Sequence, residues 1–315
     1  MKNFIGAFYV ILAMMLIAVG SYSFQKNGQH PPQPSYTVGV VLKAMDSEHW
    51  LSVRSGMSEA AQQNNMRLIV ITAENETAFA EQNKIISDLL DNEIDALIVS
   101  PTNLHHTREF VDTARQRNIP VFSIDEEIDG IAYIGSNNYA VGEMAAAFMA
   151  SKLPAGSEVS VISGSANQTA HIQRTAGFVD YIEKNTDLKI GTTLAAETQY
   201  RQAMNQAENL LRERPNTRGI FVTSAIMTLG VIEVTDRNFQ AVTIVGVDTQ
   251  NDAIMAVKHG SIDALISQDG HESGRLAIEV VAAHLNNQHV AKNNFIVNEL
   301  ITADNAEHFL LQEDF

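Results

Sequence analysis

The chain has 315 residues, a net charge of −16 and no cysteine. At roughly 150 residues per domain, that length suits two domains rather than one. The acidity argues against a nucleic-acid partner, which needs a basic face to displace counterions. The missing cysteine excludes disulfides, a thiolate metal site, a cysteine nucleophile and the lipid-modified cysteine that tethers many exported bacterial proteins.

In chain order, Lys2 is followed by an uncharged apolar stretch over residues 4–20. Its length lies between a signal-peptide core and a membrane span, so residues 1–23 are expected to be a signal peptide or a membrane anchor. Lys2 on the near side places the rest of the chain outside the cytoplasm. Residues 24–35, with three prolines in a polar setting, read as a linker. Thereafter short apolar runs alternate with stretches whose apolar residues recur at three and four. Strands are expected at 37–42, 67–72, 95–100, 119–124 and 131–135, then at 158–163, 188–194, 218–223, 242–247 and 263–268. Such nearly continuous apolar strands, separated by amphipathic helices, form parallel sheets covered on both faces. With five strands before Asn137 and five after it, the fold class is α/β with two Rossmann-like lobes.

Right-handed crossovers put the carboxyl ends of parallel strands on one edge, so the loops there form a rim where ligands bind. Those loops carry no G-x-G-x-x-G, no P-loop and no G-x-S-x-G elbow, and no H-E-x-x-H pair occurs. Neither an enzyme, a metal nor a cofactor is expected. What the rim does carry suits a polyol: planar amides and carboxylates that take hydroxyls in pairs, and an aromatic face for the apolar side of a ring. Trp50, Asp125, Asn138, Asp248 and Gln268 are of these types, all at strand ends. Each has a second reading: Asp125 and Asn138 as turn or helix caps, and Trp50 as core.

The stretches TVGVVLKAMDSEHWLSVRSGMSEAAQQNN, DALIVSPTN, NIPVFSID, YIGSNNYAVGEMAA, RTAGF, GIFVTSAIMTLGVIE and TIVGVDTQNDAIMAVKHGSIDALISQ, in this order and spacing, resemble the periplasmic sugar-binding proteins of the ribose- and galactose-binding type. That type I fold is shared with the ligand domains of lac-repressor-like regulators. The resemblance implies two lobes joined by a three-crossing hinge, with 36–135 and 269–297 in the first and 136–268 and 298–315 in the second. It implies ligand contacts from Ser47, His49, Trp50 and Asp125 of the first lobe. Asn138, Ser224 and Asp248 would serve from the second, with Gln268 at the hinge.

It also implies an extracytoplasmic receptor for a small polar solute, most simply a sugar, that closes on its ligand. The closed form would be read by the membrane permease of an ABC importer. The alternative reader is a sensor kinase or chemoreceptor, for which the receptor would be an anchored subunit. Departures from the pattern bear on the ligand. Glu126 stands where ribose binders have arginine, Ile172 replaces the first arginine of R-x-R-x-x-G-F while Arg174 remains, and Ser224 replaces an asparagine. Two lost guanidiniums remove charged hydrogen bonds of about 1.5–3 kcal/mol each, which argues against ribose. The added carboxylate of Glu126 points instead to a ligand richer in donors, an amino sugar or a cationic metabolite.

Overall fold

The computed structural model describes residues 35–43, 48–74, 78–238 and 241–310. The expected leader and most of the linker, and with them Ser47, lie outside the described residues. All ten expected strands form, within one or two residues of the positions read from the sequence.

In the first sheet β1 (Tyr36–Leu42), β2 (Met66–Thr72), β3 (Ala96–Val99), β4 (Val121–Ile124) and β5 (Ala132–Gly135) are joined by β11 (Asn293–Phe295), in the order β11-β5-β4-β3-β1-β2. The second sheet repeats the arrangement with β6 (Glu158–Ser163), β7 (Lys189–Ala195), β8 (Thr217–Val222), β9 (Thr243–Val247), β10 (Ala264–Ile266) and β12 (Leu300–Ile301), ordered β12-β10-β9-β8-β6-β7. Every pairing is parallel except that of β12 with β10. β11 and β12 carry no apolar run of their own and were not expected from the sequence; they are short edge strands created by pairing.

The helices are α1 (Glu48–Gln63), α2 (Phe79–Leu90), α3 (Thr107–Gln116), α4 (Asn138–Lys152), α5 (Thr169–Asn185), α6 (Tyr200–Glu213), α7 (Ala225–Asn238), α8 (Asn251–His259) and α9 (Gly270–Leu285). The alternation along β1 sends Val38, Val40 and Leu42 into the core beneath α1 and α9, and Val41 into the core beneath α2 and α3. The second sheet is likewise packed on both faces, against α4 and α5 on one side and α6, α7 and α8 on the other.

Two helix pairs position the loops that matter. A Cβ on Gly274 of α9 would lie 2.0 Å from the Val53 carbonyl oxygen of α1, and one on Gly56 of α1 would lie 1.9 Å from the His271 carbonyl oxygen of α9. The second lobe repeats the device: a Cβ on Gly142 of α4 or Gly177 of α5 would come within 2.1 Å of the partner helix's backbone oxygen. Only glycine lets these backbones approach so closely, and α1 and α5 thereby hold fixed angles to their sheets.

In both sheets the first strand lies between the second and third, so connections leave it in opposite directions and open a crevice at its carboxyl end. The chain passes between the sheets after β5, after β10 and after β11. Ser136 ties the three passages together, its hydroxyl oxygen accepting from Gln268 Nε2 at 3.0 Å and from Asn298 Nδ2 at 2.8 Å. Asn298 Nδ2 also donates to the Ser267 carbonyl at 2.7 Å.

Candidate functional site: the cleft between the lobes

The two crevices face each other across a cavity of about 110 Å³ lined from both lobes. From the first lobe come Lys43, Glu48, His49, Trp50, Asp125 and Glu126; from the second come Gln168, His171, Arg174, Thr198, Ser224, Asp248 and Gln250, with Gln268 at the hinge. Among the expected site residues, His49, Trp50, Asp125, Glu126, Ser224, Asp248 and Gln268 all reach this cavity.

Asp125 and Asp248 occupy equivalent places, directly after β4 and β9, and both adopt left-handed backbone with φ of 67° and 92°. Such conformations cost of order 1–3 kcal/mol in non-glycine residues and persist where the surroundings impose them, commonly at binding sites. Asp248 accepts from the Ala225 amide at 3.3 Å, at the start of α7. Trp50 is almost fully buried and belongs to the first-lobe core, and it also borders the cavity. Its ring meets His49 edge-on at 5.0 Å between centroids and has the Lys43 ammonium 5.9 Å from its own centroid.

Two polar atoms at the cavity, His49 Nδ1 and Ser224 Oγ, are buried without a partner among the described residues. Ser224 is only 5% exposed. Buried polar atoms are ordinarily satisfied, so these two are prepared for hydrogen bonds to something else.

Lys43, which lies in the expected rim loop but was not singled out, changes the electrostatics. Its ammonium donates to Asp125 Oδ2 at 2.8 Å and to Glu126 Oε1 at 2.7 Å. Burial works to raise the Asp125 carboxyl, but Lys43, with His49 and Arg174, outweighs it and holds the group at about 2. For Glu126, wholly buried, burial dominates the attraction of Lys43 and pushes the carboxyl up.

The other oxygen of Glu126 crosses to the second lobe. Oε2 accepts from the Thr169 amide at 2.6 Å, the Thr169 hydroxyl at 2.7 Å and the Ala170 amide at 3.4 Å, all in the first turn of α5. A carboxylate there also meets the positive end of the helix dipole. Glu48 makes a parallel bridge, accepting from the Asn251 amide at the start of α8 at 2.7 Å. The expectation that Glu126 would face a cationic ligand is therefore corrected: Lys43 holds one of its oxygens and α5 the other.

Asn138 also differs from expectation. It stands behind the cavity wall, accepting from Arg174 Nε at 2.9 Å and donating to the Tyr133 hydroxyl at 3.2 Å. Arg174 further donates through one terminal nitrogen to the Thr223 carbonyl at 2.7 Å. Arg174 is 3% exposed and forms no salt bridge among the described residues. Asn138 thus orients the arginine, and the arginine lines the cavity.

The contacts missed from the sequence include His171 and Thr198. Thr198 lies in the loop after β7, a strand end that the rim rule covers, but a threonine is none of the amide, carboxylate or aromatic types sought. His171 lies inside α5, where no loop signal marks it.

The model of the family described as a periplasmic binding protein domain matches residues 38–289. The ribose import binding protein RbsB of Bacillus subtilis (strain 168) is 26% identical over 291 residues, 90% of this chain and 94% of that protein. Among solved structures, an ABC transporter periplasmic solute binding protein from Actinobacillus succinogenes 130z, with bound D-allose, superposes with a TM-score of 0.81 at 23% identity. It covers 87% of this chain and all of that one. A chain of the XylFII–LytSN complex gives a TM-score of 0.78 at 21% identity, covering 87% of this chain and 99% of its own.

Proposed function

The chain belongs to the periplasmic binding protein family, and from that premise we propose that it is an extracytoplasmic receptor for a sugar or a similar neutral polyol, delivered to an ABC-type importer. The family binds solutes and is not one of enzymes. One observation carries the reading: a single cavity takes His49, Trp50 and Asp125 from one lobe and Arg174, Ser224 and Asp248 from the other, with Gln268 at the crossing. A ligand that touches both lobes favours the closed arrangement by its differential affinity, which is all that hinge closure requires. The neutral character follows from the charges. Lys43 is matched by Asp125 and Glu126, so a cationic ligand finds no free pair of carboxylates there. An anionic one would meet Asp125 and Asp248.

The Bacillus subtilis relative is a ribose import binding protein, and the solved neighbour holds D-allose. Both support a monosaccharide-sized polyol. Arg174 on the cavity wall supplies one guanidinium for hydroxyls. A second reading, an anchored subunit that reports closure to a sensor kinase, is favoured by the apolar 4–20 stretch in a chain without a lipidation cysteine. Mass spectrometry of the mature amino terminus separates them: a cleaved, freely diffusing protein fits import, and a retained segment fits the sensor.

The test of the binding role is thermal unfolding against D-ribose, D-allose, D-galactose and myo-inositol. A ligand that binds only the folded protein adds about 2.7 kcal/mol at a hundredfold excess over Kd. The expected result is a raised midpoint with at least one of them, abolished in Asp248→Ala. A flat panel would reject the polyol reading.

A further inference from the structure

A second cavity, of about 610 Å³, opens beside the crossings between the lobes and shares only Glu48 and His49 with the ligand cleft. One wall comes from the first lobe, from Ser52 of α1 and from Gly270 and His271 at the start of α9. The other comes from the second lobe, from Thr249, His308 and Phe309. Between the walls run the crossings themselves, at Ser267, Ile296, Val297 and Glu299.

The crossing after β11 is more apolar than its own burial requires. Residues 294–299 read NFIVNE. Extended alternation buries Ile296 and leaves Phe295 44% and Val297 77% exposed. The Phe295 ring is braced edge-on against Tyr133, with 6.1 Å between centroids, so its exposed face is presented in a fixed place. Single exposed apolar side chains are ordinary, but two on one crossing, at a cavity that also takes Phe309, form the kind of patch that marks a contact site.

The charge around this patch is of one sign. The lining holds four carboxylates, Glu48, Asp269, Glu272 and Glu299, and neither lysine nor arginine. Three have partners: Arg275 lies 2.6 Å from Glu272, the Asn251 amide donates to Glu48 at 2.7 Å, and Asp269 caps α9 by accepting from the Glu272 amide at 2.9 Å. Glu299 bonds only through its backbone, donating its amide to Ser267 Oγ at 2.7 Å, and its carboxylate has no partner among the described residues. An apolar strip inside an acidic rim selects its occupant. A second copy of this chain, with a net charge of −16, would bring carboxylates to carboxylates, as would its residues 311–315, LQEDF. A basic segment complements the rim.

We propose that this groove is a docking surface for a basic segment of a partner protein that lays an apolar side chain against Phe295 and Val297, and that docking is coupled to the angle between the lobes. The coupling follows from the lining. Rotation about the crossings moves the His308–Phe309 wall relative to the α9 wall, so an occupant fits one angle better than another and shifts the population toward it. The inference goes beyond the solute reading and does not depend on which solute the cleft takes.

The test is fluorescence anisotropy of labelled acetyl-KKLFKK-amide with the full chain. Acetyl-EELFEE-amide reverses the charge, and acetyl-KKSSKK-amide keeps the charge without the apolar pair. The first peptide is expected to bind at least about tenfold more tightly than either. Val297→Ser is expected to weaken it about tenfold and Glu299→Lys about threefold, with unchanged unfolding midpoints because both side chains are exposed. Equal binding of acetyl-KKSSKK-amide would mean adsorption by net charge, and equal binding of acetyl-EELFEE-amide would mean an acidic occupant such as a second copy. Wild-type affinity in both variants would place the peptide elsewhere. Any of these, or no binding of acetyl-KKLFKK-amide, would overturn the docking surface. Coupling is read without a sugar, by small-angle scattering: saturating peptide is expected to change the radius of gyration, and an unchanged profile would overturn the coupling. A flat thermal panel with specific peptide binding intact would reject the polyol reading and leave the docking surface standing.

Discussion

Glu126→Ala removes a carboxylate that is fully buried and touches both lobes. Within its own lobe the loss is small, because Lys43 keeps its bond to Asp125 at 2.8 Å. Across the cleft two short bonds from Thr169 disappear, at 2.6 and 2.7 Å, with a weaker one from the Ala170 amide at 3.4 Å. Hydrogen bonds to a charged group contribute about 1.5–3 kcal/mol each, so the two short ones amount to about 3–6 kcal/mol. Against this stands the cost of desolvating the carboxylate, several kcal/mol per ion, of which Lys43 offsets a part. A net of about 2 kcal/mol in favour of the joined lobes remains, which is about a thirtyfold shift toward the open form on substitution. Small-angle scattering of the unliganded protein measures it directly, with a larger radius of gyration expected for Glu126→Ala. Glu126→Gln, which keeps an acceptor for Thr169, is expected to fall between. A Glu126→Ala protein with an unchanged scattering profile and a much lower unfolding midpoint would refute the reasoning, because the carboxylate would then serve folding alone.

His171 makes the protein acid-sensitive: its folded value of about 3 lies below the ordinary 6.5, so its contribution is complete above pH 6.5 and is lost as pH falls toward 3. The loss is about 1.4 kcal/mol per pH unit in that window, and unfolding midpoints of His171→Gln against pH are expected to be correspondingly flatter. Asp125, held at about 2 against an ordinary 3.8, adds stability that disappears only between those values, and Asp125→Asn is expected to remove that last acid step. Gly274→Ala puts a Cβ 2.0 Å from the Val53 carbonyl. It is expected to cost at least about 1–3 kcal/mol by calorimetry and to weaken sugar binding, since α1 carries His49 and Trp50. Ser136→Ala leaves the Gln268 and Asn298 amides without their shared acceptor. The expected cost is about 1–3 kcal/mol for each amide that water cannot reach, read as a lower midpoint in denaturant.

Much of the cleft was legible as a rim. Asp125, Asp248 and Gln268 are polar residues that end apolar runs, and a parallel strand delivers its carboxyl end to the binding edge whatever the rest of the chain does. Glu126 and Asn138 were legible as positions and misread as roles. Whether a carboxylate is free depends on its neighbours, and the neighbours that occupy Glu126 lie 83 residues away at Lys43 and 43 away at Thr169. Asn138 faces Arg174 rather than the cavity because Gly142 and Gly177 draw α4 and α5 together. No spacing in the sequence encodes that approach.

By itself the sequence determined the alternation of strands and helices, hence two parallel α/β layers, because burial on both faces demands unbroken apolar strands. It also determined which loops meet at the cleft, because connection handedness leaves no choice. Tertiary structure alone decided how the charges there are spent. Lys43 bridges two carboxylates, Glu126 and Glu48 cap helices of the opposite lobe, and the buried His171 ring sits between the hydroxyls of Thr223 and Thr198. β11 and β12 belong to the same class: each is a strand only because an edge of an existing sheet offers it unpaired backbone groups. Hydrogen bonds and ion pairs act over about 3 Å, and which groups come that close is a property of the folded chain rather than of the order of its residues.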